Sequence, residues 1–112
     1  GFPTANVAIN DVHKLLPKHG VYAVRVKLND DETIYNGMLY IGERPTFVTH
    51  SVAKSIEVHL FNFTDDIYHR RIHVEFLEYV RDEAHFDTPD SLARQLQQDK
   101  SELETWFREQ NF

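Results

Sequence analysis

The chain has 112 residues, of which 41% are hydrophobic and 27% charged, and its formal net charge is −6 at pH 7. This length and composition are typical of one soluble globular domain with a single hydrophobic core. The acidic balance argues against a general nucleic-acid binder. The chain has no cysteine, which excludes disulfide bonds and thiolate metal sites, and no apolar run approaches the roughly 20 residues of a membrane span. We therefore expect a cytoplasmic protein that binds neither nucleic acid nor membrane.

Most of the chain before residue 81 has the pattern of β-strands. Alternating apolar and polar residues predict strands over 21–28, 34–41, 55–63 and 71–81. The polar residues between the first two strands predict a hairpin, and residues 42–50 are predicted to form a loop. Residues 11–16 are compatible with a short helical turn before the first long strand. In the last strand, alternation predicts that four apolar side chains share one face: Ile72, Val74, Phe76 and Val80.

The pattern changes to that of a helix after Phe86. Thr88 has the chemistry of an N-cap, Pro89 suits the first helical position, and Asp90 adds an acid to the first turn. Apolar residues then recur at helical spacing: Leu92, Leu96, Leu103, Trp106 and Phe107. The sequence thus predicts strands within about 20–81 and one helix over about 89–108, and a small antiparallel barrel with the helix packed on it, as one domain spanning 1–112.

The first candidate site is in the opening segment of the chain. Thr4 and Asn6 offer a hydroxyl and an amide oxygen two residues apart, which point the same way in an extended segment. Oxygen ligands of this kind suit Mg²⁺ that also binds substrate phosphates. The alternative is a turn in which Thr4 and Asn6 hydrogen-bond their own backbone, and these two residues alone favour it.

Three further residues have chemistry that two interpretations explain. Glu57 shares a strand face with His59 and is either a general base at a barrel mouth or a solvent-facing glutamate. Arg81 and Phe86 either hold a flat polar ring by hydrogen bonds and stacking, or form a strand-end ion pair beside a core phenylalanine.

The spacing of the histidines matches no zinc template.

Taken together, these segments resemble the riboflavin kinase family. The closest resemblance is to the kinase module of bifunctional bacterial riboflavin kinase/FAD synthetases, and it covers nearly the whole chain. The matching segments are Gly-Phe-Pro-Thr-Ala-Asn (1–6), Gly-Val-Tyr-Ala-Val (20–24), Ile-Gly-Glu-Arg-Pro-Thr-Phe (41–47), Ile-Glu-Val-His-Leu-Phe (56–61), Asp-Ile-Tyr (66–68) and Arg-Asp-Glu-Ala-His-Phe-Asp (81–87).

The resemblance implies a fold and a reaction. The fold is a six-stranded antiparallel Greek-key barrel with a C-terminal helix, and the reaction is transfer of the ATP γ-phosphoryl group to the riboflavin 5′-hydroxyl, giving FMN and ADP. Glu57 is implied to be the catalytic base. The other implied roles are Mg²⁺ and ATP phosphate binding by Thr4 and Asn6, ATP binding by Leu60, Asn62 and Tyr68, and flavin binding by Arg81, Ala84 and Phe86. The alternative function is a flavin- or nucleotide-binding barrel that has lost turnover.

The chain departs from the family pattern at several points. A segment rich in glycine and basic residues usually precedes Gly1 in the family, so we expect an N-terminally truncated fragment that is weakly active or inactive. An FAD synthetase (adenylyltransferase) domain is expected upstream. Tyr40 and Glu43 replace an asparagine and a threonine of the family pattern, and His69 replaces a glycine. The proposed base and the metal-binding oxygens are unchanged.

Overall fold

The computed structural model describes residues 5–6, 17–28, 32–45, 52–63, 71–84, 86 and 88–111. These residues form five strands and one helix: β1 (Ala5–Asn6), β2 (Gly20–Leu28), β3 (Ile34–Pro45), β4 (Val52–Leu60), β5 (Ile72–Arg81) and α1 (Pro89–Glu109). All neighbouring strands are antiparallel, in the order β1-β4-β3-β2-β5. The predicted mainly β, antiparallel fold with a C-terminal helix is confirmed, while a sixth strand and closure into a barrel stay predictions.

The strand order has the topology of a Greek key. β2, β3 and β4 are consecutive antiparallel neighbours, and β5 returns to pair with β2. The spatial order β5-β2-β3-β4 is therefore that of four strands in which the last lies beside the first. This return places Arg81 at the end of β5 directly opposite Val21 near the start of β2.

The end of β3 and both ends of β4, which begins at Val52 rather than at residue 55, differ from the prediction. β3 continues to Pro45, so the predicted loop does not begin at Gly42; residues 42–45 pair with residues 52–55 of β4. β4 ends at Leu60 rather than at Phe63, because Asn62 has a φ of 58°. A left-handed backbone of this kind turns the chain out of a strand.

The sheet buries a cluster on each face. The interior cluster consists of buried residues from β2, β3 and β4: Tyr22, Val24, Val26, Leu28, Leu39, Ile41, Val58 and Leu60. The helix-side cluster joins the opposite face to α1 and consists of Ala23, Met38, Phe61, Leu96, Leu103 and Phe107. β2 is therefore buried on both faces, although its sequence alternates like that of a half-buried strand.

The prediction that Val80 shares a face with Ile72, Val74 and Phe76 is wrong. Ile72 and Val74 pack against the interior cluster, but Val80 packs against the helix-side cluster. The pairing of β5 with β2 shifts register twice, between Val21 and Tyr22 and between Ala23 and Val24. Such irregularities change which residues face each side of a sheet.

The predicted helix start is confirmed. Thr88 is the N-cap: its Oγ accepts a hydrogen bond from the Ser91 backbone N–H at 3.1 Å. The Thr88 N–H in turn donates to Ser91 Oγ at 3.4 Å, which completes a capping box. Pro89 occupies the first turn, where its missing N–H costs no intrahelical bond. The predicted helical turn at 11–16 lies outside the described residues.

Candidate active site

One row of paired residues crosses the whole sheet. Asn6 of β1 is opposite Glu57 of β4, Glu57 is opposite Tyr40 of β3, Tyr40 is opposite Val21 of β2, and Val21 is opposite Arg81 of β5. Neighbouring strands lie about 4.8 Å apart, and residues directly opposite each other project from the same face. This cross-strand row therefore brings together residues from the start, middle and end of the chain.

Glu57 lies within the protein rather than at its surface. Its side chain is on the same strand face as His59, and the two residues are 7% and 9% exposed. The His59 ring contacts Phe61 edge-on at 5.7 Å, and Phe61 contacts Phe107 of α1 at 6.0 Å, so this is the face that the helix covers. The solvent-facing alternative for Glu57 is wrong.

Arg81, at the β5 end of the row, forms a buried ion pair with the helix. Its Nε donates to both carboxylate oxygens of Asp99 at 3.0 and 3.2 Å, and its Nη2 donates to Asp99 Oδ2 at 2.7 Å. Gln95 Nε2 donates to Asp99 Oδ1 at 3.0 Å, and Asp99 is 1% exposed. The strand-end ion pair, one of the two interpretations of Arg81, is thus present. A flavin contact by Arg81 would have to use the guanidinium nitrogen that is not bonded to Asp99.

Sequence reasoning missed Asp99, although the helix carries a signal for it. Asp99 lies three residues after Leu96 and four before Leu103, within the apolar stripe that faces the sheet. A carboxylate in such a stripe must be paired, because an isolated buried charge is costly. The sequence could therefore have predicted a basic partner for Asp99, but not which one.

The β5–α1 loop, of which residues 82–84 and 86 are described, follows directly. Glu83 joins this loop to β3. Glu83 Oε2 accepts hydrogen bonds from the Tyr40 hydroxyl at 2.9 Å and from the Glu43 backbone N–H at 2.6 Å. Its Oε1 lies 3.3 Å from His19 Nδ1. Burial alone would raise the pKa of Glu83, but the bonds from Glu43, Tyr40 and His19 together hold that pKa below its ordinary value of 4.5.

The other predicted ligand contacts are placed as follows. The Leu60 side chain belongs to the interior cluster and is 5% exposed, so only its backbone is available to a ligand. Asn62 is exposed, as is Ala84, and Phe86 is half-buried. Asn62 lines a groove of about 450 Å³ between the start of β3, the turn after β4 and the end of α1; the groove is lined by Thr33, Ile34, Tyr35, Asn36, Phe61, Asn62, Glu104, Phe107 and Arg108.

Part of the predicted site lies beyond what the structure describes. Thr4, Tyr68 and His69 are outside the described residues, and of Asn6 only the backbone is described. Within the described part of the chain, no group of three or more His, Cys, Asp or Glu side chains is arranged to hold a metal ion. No helix among the same residues is long and apolar enough to cross a membrane.

A family model and several curated proteins are similar to this chain in sequence. The family model for flavokinase, riboflavin kinase, matches residues 1–107. The bifunctional riboflavin kinase/FMN adenylyltransferases of Bacillus subtilis and Haemophilus influenzae are 39% and 38% identical to this chain. Each alignment covers 96% of this chain and 33% of the length of the relative. An RNA-binding riboflavin kinase, RibR of Bacillus subtilis, is 39% identical over 90% of this chain and 41% of its own length.

A solved structure has the same fold. It is titled a macrolide-efflux protein from Streptococcus pneumoniae and aligns with a TM-score of 0.77 at 33% identity, over 94% of this chain and 33% of that one. The chain thus spans about a third of the length of the bifunctional relatives it matches. Because the family model matches nearly all of its residues, the chain belongs to the riboflavin kinase family.

Proposed function

We propose that this chain transfers the γ-phosphoryl group of ATP to the 5′-hydroxyl of riboflavin, with Glu57 as the general base. The observation that carries the proposal is the cross-strand row, in which the buried Glu57 is directly opposite Asn6. A carboxylate beside a candidate phosphate- and metal-binding residue is the arrangement that this reaction needs. The relatives named as bifunctional also carry an adenylyltransferase, and we extend the proposal to a protein in which this chain supplies the kinase part.

The proposed role of Glu57 is to take the proton of the attacking hydroxyl. The 5′-oxygen then bonds to the γ-phosphorus, the bond from that phosphorus to the β–γ bridging oxygen breaks, and ADP leaves. The transition state for such transfers is loose, so a kinase accelerates them mainly by positioning and charge stabilisation. A base held on a paired strand and packed beside the helix, as Glu57 is, meets the positioning requirement.

Thr4 and Asn6 are proposed to hold Mg²⁺, which when bound neutralises charge on the ATP phosphates. The described structure fits this role at Asn6, because its strand position is opposite Glu57. Thr4 precedes Asn6 by two residues, so an extended segment would present both side-chain oxygens on the same side. Neutral oxygen donors of this type are those that Mg²⁺ accepts while keeping phosphate and water ligands.

We place the flavin near the β5–α1 loop and the nucleotide toward the other end of β4. Ala84 and Phe86 lie on the loop, and Arg81 orients its start through Asp99. Asn62 lines the groove at the far end of β4, where Leu60 would contribute its backbone. Tyr68, which lies outside the described residues, is proposed as a further ATP contact. Glu57 and Leu60 are three residue steps apart on β4, about 10 Å along the extended strand, and Asn62 follows in the turn after it. We propose that ATP bridges this distance, with its γ-phosphate approaching the base.

The test is FMN formation by the full-length protein that contains these residues. Riboflavin, ATP and Mg²⁺ are supplied, FMN is separated by chromatography, and riboflavin binding is followed by quenching of its fluorescence. Glu57→Gln should reduce kcat at least about 100-fold while riboflavin still binds, because general-base catalysis contributes about 10²–10⁴-fold. Glu75→Gln, an exposed glutamate on β5, is the matched control and should keep full activity.

Two results would contradict the proposal. Unchanged turnover in Glu57→Gln would remove Glu57 as the base. A folded wild-type protein that binds riboflavin but makes no FMN would instead support the flavin-binding barrel without turnover.

A further inference from the structure

We propose that Glu83 is a positioning residue for the flavin: its carboxylate latches the β5–α1 loop onto β3 beside Glu57 and fixes the loop in its flavin-binding geometry. This inference rests on the proposed function, because it assigns the loop to the flavin. Glu83 itself has no part in the chemical step. It acts through the position of the loop residues that follow it.

The latch spans elements that are far apart in sequence. Glu83 accepts hydrogen bonds from the Tyr40 hydroxyl at 2.9 Å and the Glu43 N–H at 2.6 Å, with His19 Nδ1 at 3.3 Å on its other oxygen. The Glu83 side chain is 16% exposed, and hydrogen bonds to an ionised group are stronger than those between neutral groups. The end of β5 is thereby fastened both to β3 and to the residue before β2.

Tyr40 relates the latch to the strand that carries the proposed base. Tyr40, one of the donors to Glu83, is the register partner of Glu57 in the pairing of β3 with β4. A displacement of Glu83 would therefore release the loop at the point where it adjoins the cross-strand row. Asp82, the preceding loop residue, is tied back to β5 by the Tyr79 hydroxyl and by Arg81, whose Nη1 donates to the Asp82 carbonyl at 3.0 Å. Glu83, in contrast, reaches β3 through Tyr40 and Glu43.

Gly42 provides the space for the latch. A Cβ built on Gly42 would collide with the Tyr40 hydroxyl group and with Glu83 Oε2. Both atoms are at the ends of side chains. Gly42→Ala would therefore be accommodated by displacing the Tyr40 hydroxyl and the Glu83 carboxylate, which breaks the hydrogen bond between them. Gly42→Ala therefore disturbs the latch without altering the charge of Glu83.

A loop fixed before the ligand arrives binds it more tightly, because its conformational entropy has already been lost on folding. Removing the latch should thus weaken binding of the ligand that touches the loop and leave the other substrate unaffected. This selectivity separates a positioning role from a general loss of stability. A merely destabilised protein would lose active molecules and show unchanged KM values for both substrates.

The test measures both KM values in the full-length protein with Glu83→Ala, Glu83→Gln and Gly42→Ala. Glu83→Ala should raise the riboflavin KM about tenfold, the size expected from losing an anchor bonded to a charged group, and change the ATP KM less than about twofold. Glu83→Gln keeps an acceptor oxygen and should lie between Glu83→Ala and wild type. Gly42→Ala should raise the riboflavin KM in the same direction and serves as the second variant if Glu83→Ala fails to fold. Glu75→Ala is the exposed control.

The outcomes are distinct. An unchanged riboflavin KM in both Glu83→Ala and Gly42→Ala overturns the inference, and so does a parallel rise of the ATP KM. The dissociation constant for riboflavin, read from fluorescence quenching, keeps the test independent of turnover. If wild type binds riboflavin without making FMN and Glu83→Ala weakens that binding, the kinase proposal fails while the positioning role of Glu83 stands.

Discussion

The ion pair between Arg81 and Asp99 is predicted to stabilise the chain in a way that depends on which partner is removed. Asp99 has a side chain that is 1% exposed, whereas that of Arg81 is 21% exposed. Arg81→Met leaves a carboxylate with Gln95 as its described donor and almost no access to water. Asp99→Leu leaves a guanidinium that still reaches solvent and still donates to the Asp82 carbonyl. The first change should therefore destabilise the chain more.

The expected magnitudes follow from these exposures. Removing one partner of a buried pair costs about 3–5 kcal/mol, and Arg81→Met should fall in that range. Asp99→Leu should cost about 1–3 kcal/mol, because water compensates part of what Arg81 loses. The double variant leaves no uncompensated charge and should be closer to wild type than Arg81→Met. The two changes should thus be coupled by about 2 kcal/mol or more.

The assay is urea unfolding of the chain, followed by far-UV circular dichroism and by the fluorescence of Trp106, the single tryptophan. Coincident transitions with an unchanged dependence on urea validate the comparison. Glu32→Gln at the exposed Lys27–Glu32 pair, whose Nζ and Oε2 atoms are 3.8 Å apart, is the control and should change nothing measurable. The reasoning is refuted if Asp99→Leu costs more than Arg81→Met, or if the double variant loses the sum of both.

Three further predictions concern other contacts. Glu83→Gln should lower the free energy of unfolding above pH 4.5, and the difference from wild type should shrink as the pH falls. The reason is that the pKa of Glu83 in the folded chain lies below its ordinary value. The ionised carboxylate therefore stabilises the fold, and this stabilisation is lost as the pH falls through the lower pKa. Unfolding curves of both proteins between pH 3 and 7 test this, and a difference that grows toward acid would contradict it. Thr88→Ala removes the N-cap acceptor and should lower the free energy of unfolding by about 1 kcal/mol. Thr88→Asp supplies another acceptor and should keep the wild-type stability; a loss as large as that of Thr88→Ala would argue against capping. Leu103→Ala opens a cavity where a side chain is 3% exposed and should cost about 2–5 kcal/mol in urea unfolding, whereas a loss under 1 kcal/mol would mean that α1 does not pack as described.

Features determined by neighbouring residues could be predicted from the sequence. The alternation over 21–28 and the Thr88-Pro89 cap are local patterns, and the structure has β2 over Gly20–Leu28 and α1 from Pro89. The wrong predictions concern features that are determined by residues far away in the sequence. β3 continues to Pro45 because β4 pairs with it, and Val80 changes face because the pairing with β2 is irregular.

The candidate site likewise has a part that could be predicted from the sequence and a part that could not. The resemblance singled out Glu57 and Asn6, and their register in the sheet is consistent with a shared site. Asp99 and Glu83 were not predicted as contacts of Arg81 and Tyr40, because 18 and 43 residues separate the partners. Such pairs depend on strand order and on the return of α1 across the sheet, which alternation and spacing do not encode.

The register that aligns Glu57 with Asn6 and Tyr40 is fixed by the core rather than by the site. Val58 and Leu60, the residues that alternate with Glu57 and His59, are 1% and 5% exposed in the interior cluster. A slip of β4 by one residue would turn both apolar side chains out of that cluster and turn Glu57 into it, because side chains alternate between faces. Burying a side chain such as Leu60 stabilises the fold by about 1.5–3 kcal/mol, so the slipped pairing is strongly disfavoured. The apolar half of β4 thus holds the proposed base in the cross-strand row, and a substitution such as Val58→Thr would be expected to impair catalysis without touching a ligand.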